Sequence, residues 1–463
     1  VLTMLGLGAL CANVALNLAL LPRIGIRGSS IASSVCYVAL ALSYVILARR
    51  QARPRVRNDG PLRVAFVVGT LNRGGTERQI LLLGSALAAR GHQVTVICLV
   101  RAGQQGAGAR AAGIRVAEIG FPSLCRSLVF RPWWLRRELL PAVQRLRGAL
   151  REASPDVVHC FLYWGYLIGV PAARSVGAPV IVSSRRSLTA AASRIRLLFP
   201  WERACDRLAH AVVCNSAAVM EDAIARSGLP RRKAVVIRNG VQLPTKVTPP
   251  GGAPQRIVIV ANLYPYKGHA VALAAFARVR AALPTAAARL QLVGSGPAAQ
   301  ALRAQARELG IDEEVDFLGS VADVPALLAD CSFTVLPSLT EGMPNAVLES
   351  LAHGRPVVAS AVGGVPEILG HGGGILVRPG DPEALTEAMF RLLAEPGLAA
   401  ELGTEGRALV RDRFGVDRMV TDSLRLYYGL LGGSRPCELR AAASGQGGSH
   451  GDGRTNSANI AWP

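Results

Sequence analysis

The chain has 463 residues, half of them apolar and 18% charged, with 52 Lys and Arg against 31 Asp and Glu for a formal net charge of +21. A single core stops growing at roughly 250 to 300 residues, which excludes a one-domain protein. The charge suits a surface that approaches anionic lipid, no nucleic-acid motif accompanies it, and the nine cysteines stand without a Cys-x-x-Cys pair, which excludes a disulfide scaffold and fits reduced thiols of a cytoplasmic protein.

The first 50 residues read as a two-helix transmembrane hairpin. Val1 to Leu21 carries no charge, Ile31 to Ala48 is a second apolar run, and each approaches the length that crosses about 30 Å of hydrocarbon. Arg49, Arg50, Arg53, Arg55 and Arg57 follow the second run, against Arg23 and Arg27 between the two. The positive-inside rule then puts everything after residue 49 at the cytoplasmic face of the inner membrane. No basic segment precedes the first run, which argues against a secretory signal. The stretch Asn17 to Ser33 resembles the last helices of a MATE-like polysaccharide flippase. That resemblance implies a remnant of an upstream transporter; a plain anchor is the alternative, and two spans alone make no transport path.

From Leu62 onward short apolar runs alternate with amphipathic stretches, the mark of parallel sheets covered by helices on both faces. Strands are expected at Arg63 to Gly69, His92 to Leu99, Val157 to Cys160, Pro179 to Ser183 and Ala211 to Cys214, with a helix from Thr76 to Arg90. They make a first Rossmann-like domain over residues 59–242. A Pro-, Gly- and Thr-rich segment from Leu243 to Gln255 breaks the periodicity as a linker. A second Rossmann-like domain over 256–431 then takes strands at Arg256 to Asn262, Arg289 to Val293, Val315 to Gly319, Phe333 to Pro337 and Pro356 to Ala359, with helices between them and from Asp381 to about Leu431. The glycine-rich residues 432–463 bury no core and read as a disordered tail. The expected class is α/β, two Rossmann-like domains facing a cleft, with ligands at the carboxyl ends of the strands.

The most informative block is Glu341-Gly-Met-Pro-Asn-Ala-Val-Leu-Glu349. Pro344 suits a first helical turn, so the amides of Gly342, Met343 and Asn345 point from a positive helix end toward an anion, most simply a diphosphate. Glu349, one turn further in, has two acceptor oxygens suited to neighbouring ribose hydroxyls, and Glu341 faces the sugar. Taken alone, two such acids are equally a solvated first turn; the preceding strand, Cys331 to Ser338, and the following Gly354-Arg-Pro-Val-Val run supply the context of a site. Lys267-Gly268 closes the loop after the second domain's first strand, where an ammonium neutralises a departing diphosphate. Gly74 and Gly75 precede a helix start in the first domain, a second place for backbone amides to meet the donor.

This block resembles the Glu-x7-Glu signature of the family 4 retaining glycosyltransferases of the GT-B fold, and the resemblance runs from about Arg63 to about Leu431. It implies sugar transfer from a nucleotide-diphosphate sugar with the anomeric configuration retained, the first domain on the acceptor side and the second holding the donor. Catalytic roles are implied for Glu341, Lys267 and His159, donor binding for Glu349, Gly342, Met343, Asn345, Asn262, Gly74 and Gly75, and acceptor phosphate contacts for Arg185 and Arg186. Asn262 stands where the commonest pattern has an Arg, and Phe161 where a second His is frequent. Asn215-Ser216 and Arg238-Asn239-Gly240 match turns near the cleft, or are ordinary turns. No Asp-x-Asp motif and no His/Cys cluster of metal spacing appears, so the donor phosphates are expected to be held without a metal or other cofactor. Trp133, Trp134 and Trp201 lie among many arginines between Arg126 and Arg207, which suits a lipid interface and a lipid-linked acceptor of surface polysaccharide assembly. Two other classes stay open: a flippase component with an accessory domain, and a GT-B nucleotide-sugar epimerase.

Overall fold

The computed structural model describes residues 60–121, 139–188, 199–247, 255–284 and 287–436. The hairpin expected over 1–50, Trp133 and Trp134, most of the linker, and the tail beyond 436 lie outside them. Among the described residues no helix is long and apolar enough to cross a membrane.

Seven parallel strands form the first sheet: β1 (Arg63–Val68), β2 (Gln93–Cys98), β3 (Arg115–Glu118), β4 (Val157–Phe161), β5 (Val180–Arg185), β6 (Ala211–Cys214) and β7 (Ala234–Val236). Their order is β3-β2-β1-β4-β5-β6-β7. The inner strands are nearly continuous apolar runs because helices cover both faces; β4 is buried throughout. The second sheet has β8 (Gln255–Val260), β9 (Ala288–Val293), β10 (Val315–Gly319), β11 (Phe333–Leu336), β12 (Val357–Ser360) and β13 (Gly374–Val377), in the order β10-β9-β8-β11-β12-β13. β3, β7 and β13 were not expected from the sequence. All three are short edge strands; β3 and β13 are half exposed and have no need of a continuous apolar run, while β7 is an apolar run of only three residues.

In each sheet the strand order reverses once, between β1 and β4 and between β8 and β11. A crevice opens at the carboxyl ends of the strands where the order reverses, because the flanking connections leave in opposite directions. The loops after β1, β8 and β11 carry Gly74, Lys267 and Glu341, and Gly75 opens the helix after β1.

One expectation about the domains is corrected. The helix Val416–Leu431, assigned by sequence pattern to the second domain, crosses back and packs on the first. Its Met419, Val420, Leu426 and Tyr427 share a core with Phe66, Ile80 and Leu83. The helix is amphipathic, and its apolar stripe meets the Gly75–Ala89 helix rather than the adjacent Pro396–Arg413 helix. The chain therefore passes between domains twice, and the crossings touch: the Val241 amide donates to the Phe414 carbonyl at 2.9 Å.

Candidate active site

Two loops of the second domain build its half of the site. After β8 the chain makes a short 3-10 turn, Pro265–Lys267, and continues through Gly268 at φ +71. A side chain at Gly268 would overlap the Pro337 carbonyl, so both the positive φ and the close approach require glycine. This contact sets the β8 loop against the β11 loop. Lys267 Nζ lies 2.6 Å from Glu341 Oε1, and the Ser338 hydroxyl donates to the same oxygen at 2.7 Å. Asn262 is exposed at the start of that loop.

Pro344 is the residue before the helix rather than its first turn, and Asn345–Ala352 is helical with no side-chain cap. The amides of Gly342 and Met343 meet no acceptor among the described residues. Met343 contributes backbone only: its side chain is buried in the core, and its carbonyl accepts from Asn239 Nδ2 at 3.0 Å. Glu349, one turn into the helix, is buried and forms an ion pair with Arg78 of the first domain at 3.1 Å. Burial pushes its carboxyl above the usual range, and the Arg78 charge opposes that shift.

The first domain answers with the start of the Gly75–Ala89 helix. Gly74 precedes it without a side-chain cap, and the Glu77 carboxylate folds back over Gly74. Burial raises the Glu77 carboxyl as well. Asn345 then clasps the two domains. Its Nδ2 donates to the Gly75 carbonyl at 2.8 Å, while its Oδ1 accepts from Asn239 Nδ2 at 2.7 Å and Gln79 Nε2 at 3.2 Å. Gln79 in turn pairs with both backbone groups of Gly240, donating to its carbonyl at 2.8 Å and accepting from its amide at 2.9 Å. The Gly342 backbone packs so closely on Arg186 that an added Cβ would lie 2.9 Å from the Arg186 carbonyl carbon and nearer still to its oxygen.

The structure thus brings together Lys267, Glu341, Gly342, Met343, Asn345, Glu349, Gly74 and Gly75. Sequence reasoning missed Arg78 and Gln79. The available signal was a polar run, Glu77-Arg78-Gln79, on the first turns of a helix whose remaining face is apolar.

Three expectations are corrected. His159 is a core residue: it is 2% exposed, its Nδ1 bonds the Tyr427 hydroxyl at 2.7 Å, its Nε2 bonds the Ser184 hydroxyl at 2.8 Å, and its ring stacks on Phe161. Burial lowers its pKa well below the usual value, and both ring nitrogens are occupied, Nδ1 joining the last helix to the first sheet and Nε2 joining β4 to β5. Arg185 also points inward. It pairs with Glu202 at 3.0 Å and Asp206 at 2.8 Å and lies 3.7 Å from the Tyr166 ring centroid, all buried, which leaves no exposed guanidinium for an acceptor phosphate. Trp201, expected at a lipid interface, donates its indole N–H to the Leu167 carbonyl and packs with the first domain's core. Arg186 follows β5, and its guanidinium lies 5.3 Å from the Phe161 ring centroid within the first domain. There Asn239 Oδ1 accepts from its Nη1 at 2.6 Å, and burial lowers its pKa to about 10.

Comparison with known proteins agrees with this architecture. Residues 73–243 match the family described as Glycosyltransferase Family 4, and residues 254–395 the family described as Glycosyl transferases group 1. The fold is similar to that of Anabaena HepE (Alr3699), solved in complex with UDP and glucose, with a TM-score of 0.67 at 21% identity over 79% of this chain and 99% of that one. The two sheets and both matches define a glycosyltransferase of the GT-B fold. Among curated proteins, the N-acetyl-alpha-D-glucosaminyl L-malate synthase of Bacillus anthracis is 32% identical over 31% of this chain and 38% of its own length. The GDP-mannose-dependent alpha-(1-6)-phosphatidylinositol monomannoside mannosyltransferase of Mycolicibacterium smegmatis is 34% identical over 34% of this chain and 44% of its own. The chain spans about two fifths of the length of these relatives.

Proposed function

We propose that the chain transfers a sugar from a nucleotide-diphosphate sugar to an acceptor hydroxyl with retention of anomeric configuration. The observation that carries this reading is the convergence of Lys267, Glu341 and Glu349 around a helix start whose leading amides lack acceptors. In this reading Lys267 and the Gly342 and Met343 amides stabilise the charge that develops on the departing diphosphate. Glu349 accepts from the ribose hydroxyls, and Glu341 holds both Lys267 and the sugar. The leaving phosphate oxygen takes the acceptor proton, so a separate general base is unnecessary. The Anabaena structure with UDP and glucose supports a nucleotide-sugar donor.

The acceptor we infer is lipid-linked, and the site of action is the cytoplasmic face of the membrane, with residues 1–50 as the tether. The two apolar runs and the five arginines after them support this, as does a relative named for a phosphatidylinositol mannoside. We also propose that transfer proceeds without a divalent ion, the donor phosphates being held in this reading by the Lys267 amine and the Gly342 and Met343 amides. The test is thermal unfolding of the whole chain with a panel of nucleotide sugars, followed by nucleotide release with and without polyprenyl-diphosphate sugars, in EDTA. A bound donor raises the unfolding temperature with concentration over affinity. Turnover of the donor sugar with no acceptor present would favour an epimerase, and no stabilisation by any nucleotide sugar would sink the reading.

A further inference from the structure

We propose that Arg78 is a second donor-phosphate ligand, held in reserve on Glu349 while the site is free; the inference rests on the glycosyl-transfer reading above. A diphosphate brings two negative charges, and among the described residues the second domain's two site loops, 261–268 and 337–344, offer one cation to meet them. Lys267 is that cation, and it is already engaged with Glu341 at 2.6 Å. The same loop carries an uncharged Asn262. Of the other arginines near the cleft, Arg186 is committed to Asn239, Arg185 to Glu202 and Asp206, and Arg238 to Glu367, while Arg73 stands exposed on the loop before the Gly75–Ala89 helix.

Arg78 differs from all of these. It sits on the first turns of the Gly75–Ala89 helix, and that helix start is tied by the Asn345 clasp to the start of the Asn345–Ala352 helix. Its side chain is 41% exposed, and its ion pair is with the carboxylate that the ribose must take. Once ribose hydroxyls satisfy Glu349, the guanidinium loses its partner beside an anion arriving at the two helix starts. A planar, always-charged fork of five donors is well matched to phosphate oxygens. The exchange therefore runs in one direction: ribose takes the acid from Arg78, and the phosphates take Arg78 from the acid.

Titration calorimetry of the whole chain with UDP, GDP, uridine and guanosine tests this, using Arg78→Ala, Arg78→Lys and, for comparison, Arg73→Ala. Arg73 is exposed on the loop that precedes that helix and meets no carboxylate among the described residues. Arg78→Ala is expected to weaken the bound diphosphate by roughly ten- to hundred-fold, the loss of a charge-assisted hydrogen bond. It is expected to leave the matching nucleoside unchanged or tighter, because Glu349 is no longer occupied. Arg78→Lys, which keeps the charge and the pairing with Glu349, should retain most of the diphosphate affinity and guards against misfolding of the alanine variant. If Arg78→Ala leaves diphosphate affinity unchanged, or tightens diphosphate and nucleoside equally, Arg78 is a latch only and the proposal fails. If Arg73→Ala produces the loss instead, it fails as well. A wild-type chain that binds neither diphosphate overturns the transfer reading and this inference with it.

Discussion

Replacing Gln79 by Leu tests whether the segment at Gly240, just before the chain crosses to the second domain, is fixed to the Gly75–Ala89 helix by the pairing of one side-chain amide with one peptide group. The Gln79 amide meets Gly240 on both edges, at 2.8 and 2.9 Å, and residues 79 and 240 are both buried. Leu occupies similar volume and offers neither a donor nor an acceptor. Each buried group left unpaired costs about 1 to 3 kcal/mol, and two on one residue that relaxes as a unit should cost roughly 2 to 4 kcal/mol in total. The bond to Asn345 adds little, since Asn345 Oδ1 keeps its 2.7 Å bond from Asn239. Urea unfolding measures the global effect through the midpoint at constant slope. Amide exchange by mass spectrometry measures the local one, and the Gly240 and Val241 amides should exchange faster than those of β1 and β4. A Leu variant within about 0.5 kcal/mol of wild type, with exchange at Gly240 unaltered, would show that these bonds do not hold the crossing segment in place.

Gly342→Ala places a methyl against the Arg186 carbonyl, with backbone on both sides of the contact and in different domains. Overpacking of this kind costs about 1 to 3 kcal/mol, and here it is relieved by separating the domains, so the radius of gyration by solution scattering should rise and transfer should slow. Lys267→Met, which keeps the stem and deletes the charge, should lower kcat roughly 100- to 1000-fold with little change in acceptor KM, read by nucleotide release. Asp206 supplies a pH dependence. Burial raises its carboxyl from 3.8 to about 6 in the folded protein, with Arg185 opposing the shift. Its contribution to stability is therefore full below about 4 and lost as pH rises through about 6. Unfolding temperatures measured from pH 4 to 8 should fall across that window in the wild type and flatten in Asp206→Asn, in which Arg185 keeps Glu202.

The two sheets were legible because parallel strands covered on both faces must be written as apolar runs, and β1, β4, β8 and β11 are such runs. Gly342 and Glu349 were legible for a similar reason: a strand, a glycine-bearing loop and a helix leave backbone amides and a side chain at predictable places. His159 and Arg185 misled because a polar residue at a strand end looks alike whether it faces the cleft or the helices behind it. That choice is made by Tyr427, 268 residues away, and by Glu202 and Asp206, none of which the local pattern includes. The helix Val416–Leu431 was misassigned for the same cause. Its stripe specifies that it packs, and the two crossings at Val241 and Phe414 decide on which domain.

In the free protein every charged group we assign to the donor already has an internal partner. Lys267 holds Glu341, and Arg78 holds Glu349. Donor binding is then an exchange of partners, and these two ion pairs present no net charge to an approaching diphosphate. Mobile ions screen the attraction between an anion and a charged site, so the salt dependence of affinity reports that local charge against the background of a strongly basic chain. Glu341→Gln removes one internal anion and leaves Lys267 uncompensated. UDP or GDP affinity measured between about 0.05 and 0.5 M salt should consequently fall more steeply in Glu341→Gln than in wild type, whatever the absolute affinities. Equal slopes would mean that Lys267 meets the phosphates as an unshielded charge, and the free site would not be internally neutralised.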